Sequence, residues 1–245
     1  MNDLRRTIIE TAFNAGEGHI ASALSILDII WVLYDRVLKP EDCFILSKGH
    51  GCLALYAVLA KKNIIDKSLL TNAFKFDSLL GGHPDRNKVK GIEASTGSLG
   101  HGLPIAVGRA LARKIKKQPG RVYCLVGDGE CNEGSIWEAC LIASHHQLDN
   151  LTVIVDNNHS ADRALNLESL WHKFSAFQHY IVLAKGHNHK ELEDGLNRKF
   201  FGSPTALIAD TIKGYGCKRM ENDPSWHHRV PTAAEMTEIL KELDD

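Results

Sequence analysis

The chain has 245 residues and nearly balanced charge, with 29 Lys and Arg against 30 Asp and Glu. This balance gives no indication of a nucleic-acid partner, and no apolar run approaches the roughly 20 residues that cross a bilayer. The start of the chain also lacks the apolar core of a signal peptide. The six cysteines form no Cys-x-x-Cys pair, so we expect small buried thiols in a reducing compartment and a cytoplasmic protein.

The spacing of apolar residues predicts helices that alternate with short buried strands. The predicted helices cover residues 2–15, 22–38, 52–61, 66–74, 103–117, 130–148, 167–177, 189–201 and 232–243. The predicted strands cover residues 43–46, 122–126, 151–155, 180–184 and 205–209. This alternation predicts an α/β fold with a doubly wound, mostly parallel sheet and helices on both of its faces. With no linker or repeat, we expect a single domain over residues 1–245.

Two stretches have no predicted regular structure, and both carry glycine and histidine. Residues 80–102 contain Gly-Gly-His-Pro and Thr-Gly-Ser-Leu-Gly-His-Gly, and residues 213–229 contain Trp-His-His. Loops of this length in a compact domain are usually functional. The histidines outside these loops and outside the motifs below fall on predicted surfaces or beside turns: His145, His146, His172, His179, His187 and His189.

The central feature of the sequence is a pair of predicted strands that both end in polar residues. The strand at 122–126 leads into Gly127-Asp128-Gly129, and the strand at 151–155 leads into Asp156-Asn157-Asn158. A strand–helix–strand unit places such strands side by side, with their carboxyl ends at the edge where ligands bind. A carboxylate and an amide oxygen suit Mg²⁺, which takes its other ligands from phosphate and water. A tight turn followed by an Asn cap would use the same residues, but the two strands favour a metal-bridged diphosphate.

These residues resemble the thiamine diphosphate motif, and the family that the chain resembles is transketolase, in its cofactor-diphosphate-binding part. The resemblance runs from Gly16 to His228 and is closest to the split form, in which the cofactor domains lie on separate polypeptides. It implies the thiamine diphosphate-binding fold. Besides the central motif, the blocks that carry it are Gly18-His19, Leu46-Ser47-Lys48-Gly49-His50, Gly82-His83-Pro84, Glu93 to Gly100, Met220-Glu221-Asn222 and Trp226-His227.

The resemblance also implies a role for each matching residue. Mg²⁺ would be held by Asp128, Asn158 and the backbone carbonyl of Ser160. Thiamine diphosphate would be contacted by His50, Gly97, Leu99, Gly129, Glu133, Asn158 and His227. Glu133 would in addition lie at a contact between subunits. The catalytic residues would be His19, His83 and His227, with His83 on the terminal hydroxyl and carbonyl of the substrate and His19 as a proton relay.

Three positions depart from the family pattern. The segment after Asn158 reads His-Ser-Ala-Asp-Arg and lacks the Ile and Gly that usually follow, which affects the third metal ligand and the cofactor packing. His228 stands where the family generally has Gly, and His101 stands where it usually has Gln. We interpret His101 as structural. Such changes suit a specialised enzyme at least as well as one of central metabolism.

The implied activity is transfer of a two-carbon ketol unit from a ketose donor to an aldehyde sugar. The family draws a glutamate that activates the cofactor from a second domain, which nothing in this sequence resembles. We therefore expect a C-terminal transketolase subunit, carrying the pyrimidine-binding and C-terminal domains, to complete the site in an α₂β₂ assembly. The chain alone is expected to be inactive, with sugars or sugar phosphates as substrates and no nucleic acid or membrane partner.

Two other functions remain open at this point. One is a subunit of another thiamine diphosphate enzyme, such as the alpha subunit of a 2-oxoacid dehydrogenase, which shares the central motif but not the Ser-Lys-Gly-His and Gly-His-Pro blocks. The other is a non-catalytic cofactor-binding scaffold, for which the altered segment at 159–163 is the only support. The predicted helix at 22–38 is apolar almost all round, which fits either a subunit interface or a buried core helix.

Overall fold

A computed structural model describes residues 1–244 and contains one five-stranded sheet in that range. The strands lie in the order β1-β2-β3-β5-β4, and every neighbouring pair is parallel. Their bounds are β1 (Cys43–Leu46), β2 (Val122–Gly127), β3 (Leu151–Asn157), β4 (Tyr180–Lys185) and β5 (Thr205–Asp210). The predicted parallel α/β sheet is therefore confirmed.

Helices cover both faces of this sheet, as predicted. Within residues 1–244 the α-helices are α1 (Asn2–Ala15), α2 (Ile20–Val32), α3 (Cys52–Lys61), α4 (Gly102–Ile115), α5 (Gly134–His145), α6 (Leu170–Ala176), α7 (His189–Asn197) and α8 (Ala233–Asp244). Side chains of α1, α2, α3, α7 and α8 pack on one face, and those of α4, α5 and α6 pack on the other. Successive residues of β2 alternate between these two cores because side chains alternate along a strand.

Helix α2 belongs to the core of the chain. Its residues Ile29 and Ile30 are completely buried, and so is Leu33, which follows it. Because α2 packs against α1, α3 and α7, its apolar surface is used within this chain. Of the two interpretations of this helix, the structure supports the buried core element, and the interpretation as a subunit interface is wrong.

Several predicted helices end differently in the structure. The predicted helix at 22–38 begins two residues earlier and gives way at Leu33–Val37 to a π-helical turn, and the one at 66–74 is a 3₁₀ segment, Lys67–Asn72. Helix α7 ends at Asn197, four residues before the predicted end, because Phe200 pairs with Ser203 in an isolated bridge. Propensity leaves helix ends poorly defined, so such shifts are expected.

Two expectations about composition can be compared with the structure. All six cysteines are free and buried, as the absence of a Cys-x-x-Cys pair predicted. Within residues 1–244, every helix is too short or too polar to pass through a bilayer.

Candidate functional site

The site is built on the adjacent carboxyl ends of β2 and β3. Gly127 pairs with Asp156 in the register of these strands, and the Asp128 N–H donates a hydrogen bond to the Asp156 carbonyl oxygen at 3.1 Å. The predicted pairing of the two strands is thereby confirmed. The residues that follow them, Asp128 and Asn158, emerge at the same edge of the sheet, where ligands of parallel α/β sheets bind.

A buried polar network lies beneath this edge and is centred on Asp156. The carboxylate is completely buried and accepts hydrogen bonds from Ser25 Oγ at 2.7 Å and from the Thr211 hydroxyl. It also forms an ion pair with Lys48 Nζ. Asn158 Nδ2 donates to Asp156 Oδ2 at 2.9 Å, which fixes the orientation of the Asn158 amide. Because both amide hydrogens point into the network, the amide oxygen of Asn158 is turned away from it.

Asp128 has the one feature that the network beneath it lacks, an unpaired acceptor. Its Oδ2 atom is buried and has no hydrogen-bond partner in the chain, whereas its Oδ1 accepts from the Gly129 N–H at 2.7 Å. Burial and the nearby Asp156 raise the pKa of Asp128, so the chain itself does not stabilise this negative charge. An unsatisfied buried oxygen of this kind is costly unless a ligand pairs with it. The residues present therefore fit a divalent cation at this corner.

The expected third metal ligand lies in the altered segment. Ser160 is exposed, and its N–H donates to Asn158 Oδ1 at 3.0 Å. His159 has a left-handed backbone, with φ 58°, and its ring contacts the side chain of Asp162 at 3.1 Å. The departure from the family pattern thus forms a hydrogen-bonded turn in which Asn158 Oδ1 keeps a second lone pair for a cation.

The predicted helix at 130–148 is wrong at its start. The structure has a 3₁₀ segment, Gly129–Asn132, then an extended residue, Glu133, and only then α5. The cause is the buried Glu130 carboxylate, which accepts from the backbone N–H groups of Gly100 and Gly127 and so holds the turn closed. The Gly129 N–H is likewise bonded to Asp128 in the chain, so the expected helix N-terminus is absent at this position.

Two glycine-rich loops meet above the edge of the sheet. A Cβ on Gly49 would lie 2.9 Å from the backbone of Thr96, so only glycine allows the loop after β1 to pack on the loop at 80–102. Thr96 Oγ1 donates to the carbonyl of Leu46 at 2.7 Å and joins the same two loops. A Cβ on Gly97 would lie 3.3 Å from the ring of His83. These contacts position His50 and His83 on fixed backbone.

Four histidines from separate parts of the chain line one cavity of about 240 Å³. They are His19, His50, His83 and His228, and they share the cavity with Glu17, Gly18, Phe74 and Gly82. The fifth, His227, has its ring centroid 5.4 Å from that of His19 and 6.4 Å from that of His50. The structure thus brings together every histidine that the sequence singled out as a cofactor or substrate residue, and adds His228.

These imidazoles are held neutral by their surroundings. Burial lowers the pKa of His50 to about 2, with the charge of Lys48 as a further cause. Burial, then His228 and His227, lower the pKa of His19 to about 4. Partial burial and Lys213 also lower the pKa of His227. At neutral pH each of these rings has one N–H and one free lone pair, which is the state required of a proton relay.

Two lysines are essential to the electrostatics of the site, and sequence reasoning assigned them no role. Lys48 and Lys213 are both buried, and Lys213 Nζ lies 3.1 Å from Nδ1 of His227. Burial and Lys48 lower the pKa of Lys213. Two buried cations beside a carboxyl corner suit a ligand with several negative charges. The position of Lys48 inside the Ser-Lys-Gly-His block was the available signal in the sequence.

The remaining predicted cofactor residues lie at the rim. Leu99 is half-buried, and its carbonyl oxygen is 3.1 Å from the His101 ring, so His101 belongs to the loop structure. Glu133 is exposed and packs beside Gly100, where a Cβ would lie 2.7 Å from that of Glu133. Within residues 1–244, no three His, Cys, Asp or Glu side chains form a metal-binding group. A cation at Asp128 would therefore rely on amide, backbone and ligand oxygens, which is typical of Mg²⁺.

Several known proteins are similar to this chain along nearly its whole length. Residues 1–243 match the family described as "Transketolase, thiamine diphosphate binding domain". One chain of the two-part apulose-4-phosphate transketolase of Phocaeicola vulgatus, named as its first subunit, is 36% identical, with 98% of this chain and 91% of that protein covered. 6-deoxy-6-sulfo-D-fructose transketolase subunit SqwG of Clostridium sp. is 34% identical, with 99% and 94% covered.

The solved structures lead to the same family. Transketolase of Campylobacter jejuni superposes with a TM-score of 0.89 at 30% identity, and the match covers 98% of this chain and 41% of that one. The chain thus spans about two fifths of a full-length transketolase but nearly all of each subunit named above. The resemblance found in the sequence is confirmed: the chain belongs to the transketolase family and matches its thiamine diphosphate binding domain.

Proposed function

We propose that this chain is the diphosphate-binding subunit of a two-chain transketolase that transfers a two-carbon ketol unit from a ketose to an aldehyde sugar. The observation that carries the proposal is the corner at Asp128, where a buried oxygen without a partner lies beside a histidine-lined cavity. A scaffold without ligand would gain stability by pairing or removing that oxygen. The corner is therefore better explained as one half of a metal site.

The first task of this chain is to hold Mg²⁺ and a diphosphate. Asp128 and Asn158 would supply oxygens to the cation, with the carbonyl of Ser160 as the third protein ligand. The hydrogen bonds from Asn158 Nδ2 to Ser25 and Asp156 fix the amide oxygen in advance. Lys48 and Lys213 place positive charge beside the diphosphate without leaving the core. Preorganised ligands of this kind reduce the cost of ordering on binding.

The second task is to hold and move protons near the substrate. Thiamine diphosphate, when bound, supplies the cleavage and formation of the carbon–carbon bond. Because Lys213 Nζ donates to His227 Nδ1, the proton of His227 is on Nε2, which is then a donor toward a ligand. His50 is likewise a neutral donor toward the diphosphate. Neutral His19 accepts or returns a proton, and the exposed His83 meets the carbonyl and terminal hydroxyl of the ketose.

The third part of the proposal is a partner subunit. The relatives that match this chain along nearly their whole length are named as subunits, whereas it covers 41% of human transketolase. We infer that a C-terminal transketolase subunit supplies the pyrimidine-binding half and the glutamate that activates the cofactor, in an α₂β₂ assembly. The exposed carboxylate of Glu133, at the rim of the site, is placed for contact with that subunit.

The substrate class follows from the same relatives. Their names specify apulose 4-phosphate and 6-deoxy-6-sulfo-D-fructose, which are both ketoses with an anionic group. We propose that this enzyme also acts on a ketose with a phosphate or sulfonate group. The cavity supplies imidazoles for the hydroxyl groups, and the partner subunit would bind most of the anionic end.

The test is to produce this chain with and without the C-terminal transketolase polypeptide encoded beside it. Thiamine diphosphate with Mg²⁺ is titrated into each sample by calorimetry, and ketol transfer is assayed with apulose 4-phosphate, 6-deoxy-6-sulfo-D-fructose and fructose 6-phosphate as donors. We expect transfer only from the pair. Cofactor binding without transfer from any donor would indicate a non-catalytic subunit. Decarboxylation of a 2-oxoacid in place of ketol transfer would indicate the dehydrogenase type of enzyme.

A further inference from the structure

His228 is a substrate-facing side chain that the resemblance to transketolases leaves unassigned. It is exposed and lines the cavity that also contains His19, His50 and His83. Its ring centroid is 4.5 Å from that of His19, at an interplanar angle of 39°. A glycine, which the family generally has at this position, would leave that part of the cavity wall without any side chain.

The position of His228 is fixed by the packing of its neighbours. It follows the 3₁₀ segment Pro224–Trp226, which is capped by Asp223, and Trp226 is only 1% exposed. The Arg229 guanidinium lies over the Trp226 ring, 4.1 Å from its centroid. His228 therefore stands between two anchored residues, and its ring reaches the cavity from backbone that is held on both sides.

The chemistry of the cavity suits a molecule with several hydroxyl groups. Each neutral imidazole offers one donor and one acceptor, and Glu17 adds a carboxylate on the same wall. A cavity of about 240 Å³ with so few apolar side chains favours a small polar ligand. Among its ring neighbours, His228 contacts His19, the expected proton relay, so a ligand held by His228 lies directly beside that relay.

We propose that His228 is a specificity-determining residue, whose imidazole hydrogen-bonds the hydroxyl groups of the ketose that enters this cavity. The inference rests on the proposed function, since it names a further contact of the same site. His228 makes the cavity smaller and more polar than a glycine would, and so favours ketoses that pair with both its donor and its acceptor. Its proximity to His19 also places this substrate contact beside the group that handles protons.

The experiment compares wild type with His228→Gly and His228→Gln in the complete complex with partner, cofactor and Mg²⁺. For the best ketose donor, His228→Gly is expected to raise KM about tenfold, the equivalent of one hydrogen bond and its packing. The rise in KM should exceed any fall in kcat, because the lost contact is made in the ground state as well. His228→Gln restores part of the affinity. The Kd for thiamine diphosphate stays within about twofold of wild type.

The matched control is His146→Gly, which removes an exposed histidine that does not line the cavity and leaves KM unchanged. A second readout requires no turnover. The imidazole Cε1–H resonance of His228, assigned by its loss in His228→Gly, should shift when fructose 6-phosphate or apulose 4-phosphate is added to the complex. An unchanged KM or an unshifted resonance would overturn the inference. No transfer by the wild-type complex would count against the proposed function instead, and the resonance would still decide the role of His228.

Discussion

Asp28 and Asp128 are both buried carboxylates with basic side chains nearby, but the chain treats them in opposite ways. Asp28, in α2, is 2% exposed, and it bonds to Arg5 at 3.2 Å, His187 at 3.0 Å and His189 at 2.7 Å. Although burial alone would raise it, the pKa of Asp28 is lowered by the hydrogen bonds from the two histidines. Asp128 is 8% exposed, retains an unpaired oxygen, and has its pKa raised by burial.

This difference separates a structural carboxylate from a ligand-binding one. Around Asp28 the chain supplies every partner, and even the far nitrogen of His187 accepts from the Ile212 N–H at 2.9 Å. Around Asp128 the chain supplies one partner and leaves the second oxygen to something else. A buried polar group that folding leaves unsatisfied is retained when a bound ligand compensates its cost. The predictions below test this interpretation, from the largest expected effect to the smallest.

The largest effect is expected for Asp28→Asn. The substitution leaves Arg5 buried without its counterion, which costs about 3–5 kcal/mol when one partner of a buried pair is removed. Urea unfolding followed by circular dichroism measures the loss. Thiamine diphosphate affinity, measured at a temperature where the variant is folded, should stay within about twofold of wild type. A variant as stable as wild type would show that this cluster is not structural.

Asp128→Asn is expected to do the reverse. It keeps the shape of the side chain but removes the charge that burial and Asp156 destabilise, so the free energy of unfolding without ligand should not fall. Cofactor affinity in the presence of Mg²⁺ should fall by roughly 100-fold or more, because even residues behind a metal ligand account for up to that much. Calorimetry measures the affinity, with Asn132→Asp as an exposed control nearby. Unchanged affinity would remove the central support for the proposed site.

His179 sharpens the comparison, because it too has a buried atom without a partner, Nε2. It lies against Phe174 on the opposite face of the sheet from α2, and burial lowers its pKa from 6.5 to about 4. The unfolded chain therefore binds the proton more readily, and the stability that His179 contributes is present above pH 6.5 and lost as the pH falls toward 4.

His179→Gln should accordingly flatten this pH dependence. Between about pH 7.5 and pH 5, wild type should lose about 2 kcal/mol more of its unfolding free energy than the variant. Urea unfolding at the two pH values gives the difference. An equal loss in both proteins would mean that another group titrates. An unpaired buried atom thus marks a ligand site only where, as at Asp128, it also lies at the carboxyl edge of the sheet.

The smallest effect is expected at the surface. Arg36 and Glu193 form an ion pair at 3.1 Å with side chains 39% and 32% exposed. Water screens such a pair, so Glu193→Gln should change the free energy of unfolding by less than about 1 kcal/mol. The same urea experiment applies. A loss comparable to that of Asp28→Asn would show that burial is not what distinguishes the two clusters.

The sequence predicted the sheet well and the helix ends less well, for a physical reason. Each strand is a short apolar run buried on both faces, so its existence follows from local composition. The segment after β2 was predicted as one helix because its apolar spacing is helical. The carboxylate of Glu130 bonds across to Gly100 and closes a turn there, and this contact between distant residues is invisible in local spacing.

For the site, the sequence by itself determined which polar residues end β2 and β3, and therefore that Asp128 and Asn158 share one edge. It also indicated the glycine-flanked histidines. Only the tertiary structure decided what lies beneath them, since Lys48 and Asp156 are 108 positions apart and Ser25 and Asp156 are 131 apart. Spacing along the chain predicts neighbours within a helix or between consecutive strands, whereas burial and pairing of charges depend on how distant segments pack.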